Sequence, residues 1–359
     1  MFDKADKTKA TVYDKMWSIM YDYNLATRFV SDYKIPIDGC DQANLNHSID
    51  LYEDAYGART KWRNLVCNVS KLYEGENFAE KASKFLQEYY TARDAAIIFV
   101  EQSDAFQRFN KMPLPFSTNE KGFNTVCGSK GIYNMQNVGR RFISIDMRNA
   151  NFQTLKKVGV IEADTYRDFL SEFCSGFMLD YISESKYSRQ VIFGKLNPSR
   201  TISVEKHLMR SLAMHILMEL GINPDTYKFA AFNSDEIVMF SDGDDSLYGK
   251  VLDACAPDRI SPVLDVKIEE FVLKGYEFSA VRFGDYTKHK LGEFYRRSID
   301  PEGIYKGMPL PFHKYLHRLM SGQDIDFFDK VIMQSGCTMQ LLDDLVIDEV
   351  QDINQALRE

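Results

Sequence analysis

The chain has 359 residues, 45% of them hydrophobic and 27% charged, with a net charge of −8, the composition of a globular protein that can bury a large core. The acidic total excludes a protein that binds polyanions over its whole surface, so any such contact must be local. No apolar run approaches about 18 residues, the start of the chain is charged, and the six cysteines show no C-x-x-C pair; the sequence reads as intracellular, cytoplasmic, with free thiols and no membrane partner.

In chain order, residues 1–110 read as mainly helical. Phe85, Leu86, Tyr90, Ala96, Ile97, Val100 and Phe106 recur at near-helical spacing over 85–109. That helix is expected to stop before Pro113, because Met-Pro-Leu-Pro-Phe at 112–116 forces an extended path. The same five residues recur at 308–312 and read as a second such turn. A stretch rich in Gly and Asn leads to Arg141, after which the period becomes that of a strand over 142–146. Residues 164–185 predict a helix, 191–200 a loop punctuated by Gly and Pro, and 203–220 a strong helix. Leu208, Leu212, Ile216 and Leu220 form the stripe of that helix, and Gly221 and Pro224 end it. Two short apolar runs, 228–232 and 237–240, surround Asn233-Ser234-Asp235-Glu236, a tight hairpin with acids at its tip. A helix near 246–255, strands over 263–283 and helices over the last 60 or so residues complete the expectation.

Asp146 ends the first apolar strand and the Asp235-Glu236 hairpin follows 89 residues later. Nucleotidyl transfer needs this kind of pair: carboxylates from two neighbouring strands converge on divalent cations and leave positions open for substrate phosphate. Ser144-Ile-Asp146-Met-Arg-Asn-Ala-Asn151-Phe152 resembles motif A of right-hand polymerases, and Asn233-Ser-Asp235-Glu236-Ile-Val-Met-Phe resembles motif C. The hairpin is similar to the Tyr-X-Asp-Asp turn of reverse transcriptases in its flanking strands, and to the His-Asp-Glu turn of family A DNA polymerases in its acids. Gln190 to Pro198 with the helix after it stands where motif B belongs.

This resemblance covers roughly residues 120–300. It implies an α+β right-hand palm with an antiparallel sheet, helical fingers over 1–140, a palm over 141–285 with the motif B helix inserted, and a helical, acid-tailed thumb over 286–359. It also implies a template-directed DNA or RNA polymerase that uses two divalent ions, Mg²⁺ or Mn²⁺, both bound by Asp146 and Asp235, with Glu236 as an accessory acid. The partners implied are nucleoside triphosphates, a template with its primer or nascent strand, and a second polymerase subunit or helicase; a viral replication or transcription complex in a host cytoplasm is the natural setting. A metal-dependent nuclease and a non-catalytic nucleic-acid-binding protein with a palm-like fold are the competing readings.

Charge placement is an independent indication. Seven bases and a single acid, Asp146, lie between Lys121 and Lys157, and six bases and a single acid, Glu205, lie between Lys186 and Arg210. Residues 321–359 hold nine acids and two bases. The triphosphate candidates are therefore Arg189 and Lys195 beside Gly194, with Lys130, Arg140 and Arg141 upstream. Lys274 is a candidate proton donor. Asn151, five residues after Asp146, stands where the resembling families contact the sugar; being short and able to bond a hydroxyl, it predicts acceptance of ribonucleotides, whereas Phe152 would supply bulk if the register slipped by one.

Overall fold

A computed structural model describes residues 22–35, 57–114, 131–256, 264–282, 288–300 and 324–334, with shorter pieces between them and up to 342. The protein is a mixed α+β structure. The described residues ahead of the sheet include the helices α1 (Tyr23–Asp32), α2 (Ala58–Leu72), α3 (Phe78–Gln102) and α4 (Asp104–Lys111). Asn77 caps α3 and Ser103 caps α4, each accepting a backbone N–H from three residues on. The periodic run 85–109 is therefore two helices, broken where the Ser103 side chain competes for the backbone. Met112 closes α4, as the following proline requires. Phe116 then stacks on His207, with ring centroids 3.8 Å apart, so the first Met-Pro-Leu-Pro-Phe segment lays an aromatic ring on a later helix. Its second copy, 308–312, lies outside the described residues.

The sheet begins with β1 (Arg141–Met147) and continues with β2 (Ala231–Phe232), β3 (Glu236–Phe240), β4 (Val266–Arg282), β5 (Lys288–Asp300) and β6 (Tyr305–Lys306). Its strand order is β2-β3-β1-β4-β5-β6, and β8 (Cys337–Leu341) pairs with both β4 and β7 (Val331–Gln334). Each of these pairings is antiparallel. Between β1 and β2 run α5 (Ala150–Lys157), α6 (Tyr166–Ser171), α7 (Gly176–Glu184), α8 (Lys186–Gly194) and α9 (Pro198–Glu219), while α10 (Leu247–Ala254) links β3 to β4. The first four strands thus form a β-α-β-β-α-β unit with β1 at its centre.

Two-residue alternation gives β1 two unlike faces. Ile143, Ile145 and Met147 join Ile237 and Met239 of β3 and the stripe Leu208, Leu212 and Ile216 of α9 in one buried core. On the other face Phe142 packs between Phe240 and Phe271, with ring centroids 5.3 and 5.4 Å away, and Ser144 and Asp146 continue the row toward the strand end. Three helices meet at a second centre, the buried Asp32 carboxylate. It pairs with Arg28 (3.2 Å) and accepts hydrogen bonds from Tyr89 (2.8 Å), Tyr181 (2.9 Å) and Ser185 (2.7 Å).

Three expectations need correction. Residues 164–185 form two helices, with Gly176 at φ +56° starting the second. Most of the 191–200 loop is helical: α8 runs to Gly194, and Asn197 at φ +49° turns the chain into α9, whose first residue is Pro198. The helical thumb is the largest departure. The described residues after 286 lie mainly in β5 to β8, β5 being thirteen residues long and paired with β4 along most of its length. Its Lys, Glu, Arg and Leu suit a helix locally, but the ladder offered by β4 overrides that weak preference.

Candidate active site

β1 places Asp146 one residue before its end, and the β2–β3 turn delivers Asp235 beside it. The registration is set by backbone: the Met147 N–H donates to the Asp235 carbonyl (2.8 Å), and Asp146 stands opposite Glu236 across the β1–β3 ladder. The two aspartates, 89 residues apart in sequence, line one cleft of about 450 Å³. Asn149, at φ +49°, turns the chain from β1 into α5, a conformation that Asn tolerates better than other side-chain-bearing residues. Ala150 and Asn151, in the first turn of α5, form another wall.

The opposite wall is α8. Lys186, Arg189 and Gln190 occupy positions i, i+3 and i+4 of that helix and face the cleft, while Ser188, Ile192 and Phe193 are buried. Neither Lys186 nor Arg189 has an acid partner among the described residues. The Arg189 guanidinium lies 5.7 Å from the Tyr166 ring centroid, and burial holds it below its ordinary value, with Tyr166 opposing that shift. Arg148 completes the basic lining and is paired to Asp265 at 3.5 Å. Two carboxylates and three cations around one cleft suit an anionic, phosphate-bearing ligand held against a divalent cation.

α8 is held from beneath. Ser185 caps it by accepting the Ser188 N–H (2.8 Å), and the same hydroxyl donates to the buried Asp32. The position of the cationic wall therefore depends on a network on the far side of the helix.

Other sequence candidates lie elsewhere. Arg141 begins β1, about 17 Å from Asp146 at strand spacing, and Arg140 immediately precedes it. Arg140 pairs with Asp242 (2.7 Å) and lies 4.0 Å from the Phe240 ring centroid, and Arg141 pairs with Asp245 and with Glu270 (2.9 Å). They clamp the turn after β3. Lys195 and Gly194 end α8 outside the cleft lining, and Gly194 has open space around it. Lys130 lies outside the described residues. Lys274 stands next to Leu273, whose N–H donates to the Arg140 carbonyl, and so lies at the end of the sheet away from Asp146. Glu236 is on β3 rather than in the turn; the Ser144 hydroxyl donates to its Oε1 (2.6 Å), and it stays outside the cleft lining. Phe152 is buried among Tyr166, Phe169 and Phe193, which leaves Asn151 as the residue facing the cleft. Comparison of the chain with protein-family models, curated proteins and solved structures gives no match.

Three neighbours of the aspartates were not singled out from the sequence. Lys267 of β4 stands opposite Asp146 and pairs with Glu269 (2.6 Å), which stands opposite Ser144. The signal was available: Lys267 and Glu269 alternate with Val266 and Ile268, which marks a strand with one polar face. Glu205 on α9 is the third. It is 4% exposed, its Oε1 has no hydrogen-bond partner, and burial first, then the nearby Asp235, push its carboxyl up from 4.5 to about 7.

A carboxyl raised by folding contributes stability that is present below its unfolded value and is lost as pH climbs through its folded one. Glu205→Gln, which has no proton to lose, is expected to match the wild type near pH 4.5 and to be more stable at pH 8 by on the order of 2 kcal/mol. Denaturant midpoints at both pH values, in chelator, measure this. A difference that does not change with pH would refute the expectation.

Among the described residues no group of three or more acids, histidines or cysteines is gathered for a metal ion. No described helix is long and apolar enough to cross a membrane.

Proposed function

We propose that the protein is a template-directed nucleotidyltransferase, a DNA or RNA polymerase whose reaction centre is the Asp146–Asp235 cleft. The single observation that carries this reading is the convergence of those two carboxylates, from adjacent antiparallel strands, in a cleft whose facing helix presents Lys186 and Arg189. The strand order around β1 agrees with a right-hand palm, in which an Asp at a strand end meets an acid from the neighbouring hairpin. The resemblance of the two motifs supplies the reaction class.

Two oxygen donors with neighbouring positions left open fit Mg²⁺ or Mn²⁺, which completes its shell with water and substrate phosphate. Bound there, the cation would polarise the transferring phosphoryl group and lower the pKa of the attacking hydroxyl. The chain's own residues do the rest. Asp146 and Asp235 would hold the divalent cations; Arg189 and Lys186 bind the triphosphate from the α8 side and balance its charge. Arg189, two-point in its hydrogen bonding and supported by Tyr166, orients the phosphates, while Lys186 acts as a point charge. A template with its primer or nascent strand would occupy the polar face of β1, β3 and β4. Helicase or second-subunit partners belong to the same proposal, and a viral replication or transcription complex is the setting that suits the chain's size.

The test is incubation with a primed template, nucleotides and Mg²⁺. Primer extension supports the proposal, shortening indicates a nuclease, and retention without either indicates a binding protein.

Asn151 sets the sugar preference. It faces the cleft from the first turn of α5, and its side chain leaves room for a 2′-hydroxyl and can hydrogen-bond it. Ribonucleotides are expected to be incorporated at least as well as deoxyribonucleotides. Asn151→Phe should lower ribonucleotide use roughly 10-fold or more, the worth of one hydrogen bond plus a steric clash. Matched single-nucleotide incorporation rates give the ratio, and strong rejection of ribonucleotides by the wild type would end this assignment.

A further inference from the structure

Behind the first turn of α5 lies a second cavity, of about 330 Å³, that shares Arg148 and Asn149 with the reaction cleft. We propose that it is a binding site for inorganic oligophosphate, the chemical class of the pyrophosphate that nucleotidyl transfer releases. The naming of pyrophosphate as ligand rests on the function proposed above; the anion site itself does not.

Three cations line the cavity: Arg148, Lys156 and Lys157. Among the described residues, Lys156 and Arg148 pair with Asp164 and Asp265, which also line the cavity and whose side chains are 92% and 69% exposed. Such solvated pairs are weak, and a multivalent anion competes well for the cation. Lys157 has no acid partner among the described residues, and burial together with the neighbouring Lys156 holds its ammonium below its ordinary value. Adjacent cations kept close in a partly enclosed space, without enough acid to balance them, are relieved by an anion bound between them.

The floor is built rather than incidental. The Gln153 side chain donates to the Asp265 carbonyl (2.7 Å) and accepts the Asp265 N–H (2.8 Å), and it also donates to the Arg148 carbonyl. These bonds staple α5 to the start of β4 and fix the basic residues before any ligand arrives. Tyr166 forms the partition: its ring lines this cavity, and the Arg189 guanidinium of the reaction cleft lies against it. A volume of this size suits a small oligoanion, being at the lower end of small-molecule sites. A nucleic-acid strand needs an open groove. Arg148, common to both spaces, gives a phosphate group released at the Asp146 side a second partner on the far side of the α5 start.

The experiment is isothermal titration of the full chain with inorganic pyrophosphate, compared with Lys156→Ala/Lys157→Ala and with Arg189→Ala. The double variant is expected to weaken pyrophosphate binding at least about 10-fold, while Arg189→Ala, which removes a cation that does not line this cavity, is expected to weaken it less than the double variant does. Loss with Arg189→Ala and none with the double variant would place the anion in the cleft alone and overturn the proposal. Single-stranded oligonucleotide binding that falls in the double variant while pyrophosphate binding does not would also overturn it. In the incorporation assay, the double variant should need about 10-fold more pyrophosphate for half-inhibition, with its KM for nucleotide unchanged. A chain that binds pyrophosphate as expected yet extends no primer would keep the anion site and remove the polymerase reading. Circular dichroism of each variant establishes that it is folded.

Discussion

Replacing either Asp146 or Asp235 with Ala is expected to lower nucleotide incorporation by on the order of 10³-fold or more. The scale comes from the 10²–10³-fold loss that follows removal of one preorganised charge-stabilising group from an active site, of which a metal-binding carboxylate is a stronger instance. The fold should survive. Asp146 is at the end of β1 and Asp235 in the turn, and the contact that fixes their register, from the Met147 N–H to the Asp235 carbonyl, belongs to the backbone and remains after substitution. Removing Asp235 also relieves repulsion on the buried Glu205, so Asp235→Ala should melt no lower than the wild type when divalent cations are absent. Glu236→Ala is the internal contrast. Its carboxylate accepts from Ser144 outside the cleft lining, so its loss should reduce incorporation far less than loss of either aspartate. Rates for the three variants on one primed template, with far-ultraviolet circular dichroism as the fold control, decide the matter. Activity within 10-fold of wild type for Asp146→Ala would remove the proposed reaction centre.

The largest stability effect is expected at a residue outside the cleft. Asp32 is fully buried and satisfies four donors from α1, α3, α7 and the α8 cap. Asp32→Ala strands the Arg28 guanidinium and two tyrosine hydroxyls in the interior. Breaking a buried ion pair by removing one partner costs about 3–5 kcal/mol. Asp32→Asn keeps the volume and part of the acceptor capacity, so its loss should be smaller. Urea unfolding of the three proteins measures the order, and a cost below about 1 kcal/mol for the Ala variant would contradict the account. Because Ser185 donates to Asp32 and caps α8, the same variant should also raise the KM for nucleotide through misplacement of Lys186 and Arg189. That effect separates it from a change confined to stability.

Near β1 the fold was legible because the signals there are local and periodic. Alternation over 142–146 and the apolar runs around Asn233 marked β1 and the β2–β3 hairpin, and the leucine stripe with its terminal glycine marked α9. The strong candidates Asp146 and Asp235 were legible for the same reason: acids at strand ends are visible in sequence. The bases were not. Counting them between Lys121 and Lys157 treated Arg140, Arg141, Lys156 and Lys157 as equivalent, yet the first two serve the Asp242–Asp245 turn and the last two face a separate cavity. Lys186, the cleft cation that was overlooked as a site residue, is one turn before Arg189 on a segment whose helix was partly read as loop.

By itself the sequence determined the order of elements around the sheet, the acids at the ends of β1 and the hairpin, and the unevenness of charge, because each follows from side-chain period or residue type. Tertiary structure decided which of the candidate cations meet those acids, and that β5 to β8 extend the sheet where helices were expected. Those outcomes depend on pairing between distant segments, whose free energy resides in the ladder and the buried interface rather than in any local run of residues.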